Sequence, residues 1–318
     1  MSLDALYGNE QLKSKLAPVL EADRLSHAYI LSGPQGSGKH TLARLLAAAM
    51  ECTSGRTRPC LVCAQCRKVL SGNHPDVITV DDEKKKTVSV ELVREARTDM
   101  YLRPNEGRRK VYIFPRAMDM GAPGQNALLK VLEEPPAYGA FLLLTDGAQR
   151  LLPTIRSRCV ELQLSPLETG LCTRLLERDF PQKTGEQIAS AVLRSGGFYG
   201  QAKTLLSGGG ELLPQTARFA AAYPARDALA MAELLVPMER LSRDQLQPIL
   251  TEWLGLLTEA LAVRSGTPAP TPEAAAISQS RSGAELMSAI RRLQEALELL
   301  QGNISVGALC GALQVQLR

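Results

Sequence analysis

At 318 residues, 45% of them hydrophobic, the chain can build two or three separate cores. Its 37 Lys and Arg against 33 Asp and Glu leave a net charge of +4, too mild and too evenly mixed to demand a nucleic-acid surface by itself. The opening MSLDALYGNEQ lacks the basic and then apolar pattern of a secretion signal, no apolar run is long enough to span a bilayer, and four of seven cysteines cluster between Cys52 and Cys66; the expectation is a cytoplasmic protein whose thiols bind metal rather than pair.

In chain order, Leu12, Leu16 and Leu20 recur at helical spacing and predict a helix over 8–20. A short apolar strand over 28–31 then leads into Ser32-Gly-Pro-Gln-Gly-Ser-Gly-Lys39, which fits G-x-x-x-x-G-K from Gly33 to Lys39 and precedes a helix over 41–50. Strand, glycine loop and helix stand in the order a phosphate loop requires. Gly33, Gly36 and Gly38 let backbone N–H groups close around phosphate, the helix N-terminus adds positive potential, and Lys39 supplies a point charge. The next residue should bring a hydroxyl to Mg²⁺, but it is His40, and imidazole is a poor ligand for a hard ion. Thr41 has the hydroxyl about 100° further around the helix. The loop either holds ATP or ADP or survives as a scaffold; efficient hydrolysis is not expected of it.

Cys52, Cys60, Cys63 and Cys66 follow with two tight C-x-x-C spacings back to back, the donor set of a closed, structural Zn²⁺ site. Arg56, Arg58, Arg67 and Lys68 are available to offset its negative charge. His74, in Gly-Asn-His-Pro-Asp, is read as a turn residue before a strand over 77–80 and not as a fifth ligand. Lys84-Lys85-Lys86 either touches phosphate or tips a solvated hairpin. A helix over 90–101 turns Leu92, Val93, Ala96 and Met100 inward, and a strand over 111–114 follows. In a working phosphate-loop ATPase that strand ends in an acidic pair that holds metal and polarises water. Here the positions are Pro115 and Arg116, with Asp119 expected to lie past the site.

A helix over 127–132 stops at Pro135-Pro136, a buried strand spans 141–144, and a turn-rich segment runs to Arg158. Arg158 is either a cation aimed at a nucleotide or a surface ion-pair residue like its neighbour Arg156. Beyond Leu164 strand signals cease. Three short helices are predicted over 166–180, 184–194 and 200–206, then a break at Ser207-Gly-Gly-Gly210, then helices over 227–235, 246–263 and 284–301. In the last of these, Leu286, Ile290, Leu293, Leu297 and Leu300 form a stripe more suited to a core than to an interface. Residues 264–271, with Pro268 and Pro270, read as a surface connection.

The motifs HAYILSGPQGSGK, the four-cysteine insert, GNHPD, NALLKVLEEPP, LLLTD and TIRSRC together resemble the bacterial clamp-loader ATPase family of AAA+ proteins, over residues 1 to about 208; the rest is similar only in helical character. The resemblance implies an α/β plus all-α fold: an AAA+ phosphate-loop domain with a parallel sheet and zinc insert (1–165, zinc module 52–66), a small helical lid (166–207) and a helical collar (208–318). The Ser-Arg-Cys match makes Arg158 an arginine finger acting in trans, and Thr145 matches the polar sensor after the fourth strand. Where hydrolysing members carry a lid arginine, this chain has Gly200. It also lacks the hydroxyl and the acidic pair. The implied role is a largely non-hydrolysing stator that helps load a sliding clamp on primed DNA beside gamma/tau-type motor subunits and a delta subunit, with a hydrolysing motor subunit as the alternative.

Overall fold

The computed structural model describes residues 3–55, 57–82, 85, 87–207, 212–267, 271–300 and 304–317. The chain divides into two compact units, Met1–Leu167 and Glu168–Arg318.

The first unit is built on five parallel strands, β1 (Ala28–Ser32), β2 (Val77–Thr79), β3 (Lys110–Phe114), β4 (Gly139–Thr145) and β5 (Val160–Gln163), in the order β2-β3-β4-β1-β5. β1, β3 and β4 are buried at every position, which is why they read as unbroken apolar runs and not as alternating ones. Among its described residues six α-helices accompany the sheet: α1 (Glu10–Glu21), α2 (Lys39–Glu51), α3 (Ala64–Leu70), α4 (Val90–Asp99), α5 (Ala122–Glu133) and α6 (Pro153–Arg156). Leu12, Leu16 and Leu20 of α1 join Leu42, Leu45 and Leu46 of α2 over Leu31, Leu142 and Leu144. Val93 and Ala96 of α4 join Leu128, Val131 and Leu132 of α5 over Ile30, Phe141 and Leu143. Alternate residues of one strand thus feed two cores, and the expected α/β phosphate-loop architecture is present.

Helices α3 and α6 carry no expectation from the sequence, and two further differences have a physical reason. Helix α5 begins five residues before the expected 127, because Pro123 is accommodated in the first turn, where its missing N–H costs nothing. Strand β5, Val-Glu-Leu-Gln, buries only Leu162; as an edge strand it is fixed by pairing with β1, and its polar residues carry no apolar signature.

Among its described residues the second unit is all helical: α7 (Thr169–Asp179), α8 (Gly185–Arg194), α9 (Tyr199–Ser207), α10 (Pro214–Ala225), α11 (Ala228–Met238), α12 (Arg243–Arg264), α13 (Pro272–Ser280), α14 (Gly283–Leu300) and α15 (Val306–Gln316). Thr184 and Ser242 close capping boxes with Gln187 and Gln245 at the starts of α8 and α12. Trp253 is fully buried at the core centre and stacks on Phe219 at 4.2 Å. The stripe on α14 faces that core, with Leu286, Ile290, Leu293 and Leu300 buried and Leu297 packed at its margin. Arg281 is buried too, donating to the Tyr223 carbonyl at 2.7 Å. Helices α10, α13 and α15 escape sequence patterning because their apolar residues are mostly alanine or are interrupted by proline and glycine. The glycine break at 208–210, Pro268 and Pro270 lie outside the described residues.

Candidate functional site

The phosphate loop leaves β1 at the C-terminal edge of the sheet, where the Gly33 N–H donates to the Thr145 carbonyl at 3.2 Å. Gly38 precedes α2 with φ +101°, and a Cβ there would stand 3.1 Å from Leu6 and 3.5 Å from Leu164, so backbone angle and space both call for glycine. No side chain caps α2, which leaves its first N–H groups facing the loop. Lys39 is 7% exposed, and its ammonium is already engaged: it donates to the Gly33 carbonyl, to the Pro34 carbonyl at 3.1 Å and to Asp146 Oδ1 at 2.8 Å. Asp146 follows Thr145 at the end of β4. The Thr145 hydroxyl is buried and tied to Gly147, donating to its carbonyl at 2.9 Å and accepting its N–H at 3.3 Å.

The side chain of His40 is exposed. Partial loss of hydration, then Lys39 and Arg44, hold its imidazole below the ordinary value, with Asp81 opposing. Thr41 is half-buried one position on. Where an acidic pair would stand, Arg116 instead donates to Asp81 Oδ1 through Nε at 2.9 Å and Nη2 at 2.6 Å. Asp119 lies beyond Arg116 in the short turn after β3. Burial raises its carboxyl, and Arg116 and Arg150 stand 4.0 Å away to neutralise it. Loop glycines, Lys39 and Thr145 are brought together, while Asp146, Asp81 and Asp119 are each matched by a cation. Of the three-lysine run, Lys85 pairs with Asp82 at 3.3 Å; Lys84 and Lys86 lie outside the described residues.

The Sγ atoms of Cys52, Cys60, Cys63 and Cys66 lie within 4.8 Å of one another. A tetrahedron with Zn–S of about 2.3 Å has edges of about 3.8 Å, so modest closure completes the site. Backbone N–H groups point at the sulfurs: Ser54 and Cys60 donate to Cys52 at 3.4 Å, Cys63 to Cys60 at 3.3 Å and Cys66 to Cys63 at 3.4 Å. Burial alone would raise the Cys63 thiol, but the Cys66 N–H and bonds from Thr53 outweigh it and bring it down to about 6; burial keeps Cys52 and Cys66 high. Four thiols, several satisfied as acceptors, suit a four-sulfur metal. Of the cations expected to balance the charge, Arg58 pairs with Asp23 and Lys68 with Glu106 at 2.7 Å, while Arg67 keeps its charge within the insert, donating to the Val62 carbonyl at 2.8 Å. Arg56 lies outside the described residues.

His74 is no ligand. Its Nδ1 accepts the Asp76 N–H at 3.1 Å, and Nε2 lies 2.9 Å from Gln65 Oε1. It belongs to a buried polar knot that sequence reasoning missed. Asp76 accepts N–H bonds from Asn105, Glu106 and Gly107, and Glu51 accepts those of Arg108 and Arg109. Burial lifts Glu51 to about 7 despite those donors. The proline and glycine of Gly-Asn-His-Pro-Asp were the only available signal.

Arg158 lies at the other edge of the sheet. Parallel pairing sets Tyr29 opposite Val160 and Ser32 opposite Gln163, so the loop follows the C-terminal end of β1 while Arg158 precedes the N-terminal end of β5. At about 3.3 Å per residue the strand alone separates them by roughly 10 Å. Arg158 is thus set apart from its own loop by the length of the strand. Its side chain is 32% exposed, paired with Glu133, and Nη1 donates to the Thr154 carbonyl at 2.8 Å. Gly200 sits in the first turn of α9.

A family described as "DNA polymerase III, delta subunit" matches residues 8–168, just over half of the chain. The chain is 40% identical over 174 residues to the Bacillus subtilis DNA polymerase III subunit delta', covering 54% of this chain and 52% of that protein. It is 39% identical over 171 residues to the Salmonella typhimurium DNA polymerase III subunit tau, covering 54% of this chain and 26% of that one. The match thus spans about half or less of either relative. Among solved structures, a Thermotoga maritima DNA polymerase III gamma subunit-related protein covers 97% of this chain and is itself covered in full, at 16% identity and a TM-score of 0.41. The chain belongs to the DNA polymerase III delta-subunit family.

Proposed function

We propose that this chain is a delta-prime-type subunit of the replicative clamp loader, a stator that hydrolyses little ATP itself and completes a neighbour's ATP site with Arg158. The observation that supports the reading is that Arg158 stands at the end of the sheet opposite its own loop with its side chain 32% exposed, a position open to a neighbouring subunit's triphosphate. A guanidinium supplied in trans offsets charge in the phosphoryl-transfer transition state and accelerates it by roughly 10³ to 10⁵. The chain's own loop fits a passive role. Lys39 is bonded to carbonyls and Asp146, His40 replaces the hydroxyl, and Arg116 stands where a carboxylate would hold metal. ATP or ADP can occupy Gly33, Gly36, Gly38, Lys39, His40, Thr41 and Thr145 without turnover.

On this reading the four cysteines hold a structural Zn²⁺ that ties the end of α2 to α3. Helices α7–α9 form the lid, and the helices from 208 onward form the collar that joins the ring. Partners are gamma/tau-type motor subunits and a delta subunit, with the sliding clamp and primer-template DNA reached through the assembly, in the cytoplasm. No helix among the described residues is long and apolar enough to cross a membrane. The assembly serves a DNA-directed DNA polymerase, a nucleotidyltransferase; this subunit polymerises nothing. Reconstitution with motor and delta subunits tests the proposal. Arg158→Ala should assemble normally yet slow ATP turnover and clamp loading, whereas normal turnover would refute it.

A further inference from the structure

We propose that Glu133 is a positioning residue for Arg158, holding its guanidinium in the orientation in which it meets a neighbouring subunit's triphosphate; the inference rests on the trans-arginine reading above. Nη2 of Arg158 donates to Glu133 Oε1, and Nη1 donates to the Thr154 carbonyl at 2.8 Å and to Ser157 Oγ at 3.1 Å. These contacts use three of the guanidinium's five N–H donors and leave Nε–H and one Nη2–H for an incoming acceptor. The remaining N–H groups can donate to phosphate oxygens.

The anchors come from two different elements. Glu133 ends α5, whose C-terminal carbonyls add negative potential around the cation, and Thr154 lies in the short helix α6. Ser157 Oγ also bonds the Thr154 carbonyl at 3.1 Å, so the serine of Ser-Arg-Cys is itself fixed. With Glu133 49% and Arg158 32% exposed, the pair contributes little to folding stability. What it does supply is order: the long side chain gives up rotamer freedom before docking and not during it. Glu133 touches no reacting atom and acts only through Arg158.

The test uses the complete chain assembled with motor and delta subunits, with single-turnover ATP hydrolysis measured across ATP concentrations. Glu133→Ala should lower the rate at the completed site about tenfold while the KM for ATP moves less than about twofold. Combining it with Arg158→Ala should be no slower than Arg158→Ala alone. Should Glu133→Ala not assemble, Glu133→Gln, which keeps the shape and removes the charge, carries the same comparison. An unchanged or faster rate in the Glu133 variant beside a slow Arg158→Ala would overturn the positioning role and leave the trans arginine standing, as would a double variant whose losses multiply. An Arg158→Ala assembly with normal turnover would instead remove the reading beneath it.

Discussion

Asp146→Asn should make the phosphate loop a tighter nucleotide binder without making it an ATPase. In the structure the Lys39 ammonium, 7% exposed, meets Asp146 Oδ1 at 2.8 Å, and a phosphate entering the loop must replace that carboxylate. At an effective dielectric near 20 the gross attraction at this distance is about 6 kcal/mol. After exchange with water a charge-assisted bond of this kind retains about 2 kcal/mol, and Asp146 is one-third exposed, which argues against a larger figure. Removing a competitor worth about 2 kcal/mol tightens binding by about 30-fold. The asparagine keeps the shape, and Lys39 keeps the Gly33 and Pro34 carbonyls, so the fold should survive with a modest loss of thermal stability that nucleotide restores. Calorimetric titration of the isolated chain with ADP and ATP measures the gain. On the stator reading neither the parent chain nor the variant should hydrolyse ATP, because Arg116 and His40 occupy the positions of the carboxylate and the hydroxyl in both. Equal or weaker affinity in the variant would refute the competition argument, and turnover by it would refute the inert loop.

Cys66→Ser should abolish zinc binding by metal analysis and lower the stability of the first unit by about 3 kcal/mol or more, since Cys52 and Cys66 are buried in the core beside α2. Cys172→Ser, at a buried thiol in the second unit, should keep its metal; full zinc occupancy in Cys66→Ser would contradict the four-sulfur site. Asp23 supplies the acid limb of the stability profile. Burial alone would raise its carboxyl, but Arg108, at 2.6 Å, and Arg58 bring it from 3.8 down to about 2. The folded value lies below the unfolded one, so the stabilisation is complete above about pH 4 and lost as pH falls toward about 2. Asp23→Asn should cost about 1–2 kcal/mol near neutral pH and flatten urea stability over that acid window; an unchanged acid limb would contradict the assignment.

The features legible in the sequence were those whose chemistry is local. The phosphate loop is a contiguous stretch whose glycines and lysine each have a fixed part in the turn, and four thiols at two C-x-x-C spacings within a short loop suit metal. The stripe on α14 announced a core because leucines at helical spacing leave one face apolar. What stayed hidden depends on residues far apart in the chain. Asp146 meets Lys39 across 107 positions, and Asp76 reaches the backbone of 105–107. Strand β5 is polar because it lies at a sheet edge and draws its order from β1. The motif singled out Arg158; its place at the end of the sheet opposite the loop and its tie to Glu133 become visible only in the folded chain.

The most direct measurement compares Lys39→Ala with Arg158→Ala, each assembled with motor and delta subunits and followed by ATP turnover and clamp loading. If this chain lends a guanidinium to another subunit's triphosphate, Arg158→Ala slows turnover while Lys39→Ala leaves it near the wild-type rate. The reverse pattern, with loss in Lys39→Ala and none in Arg158→Ala, would show that the chain's own loop does the chemistry and would contradict the account.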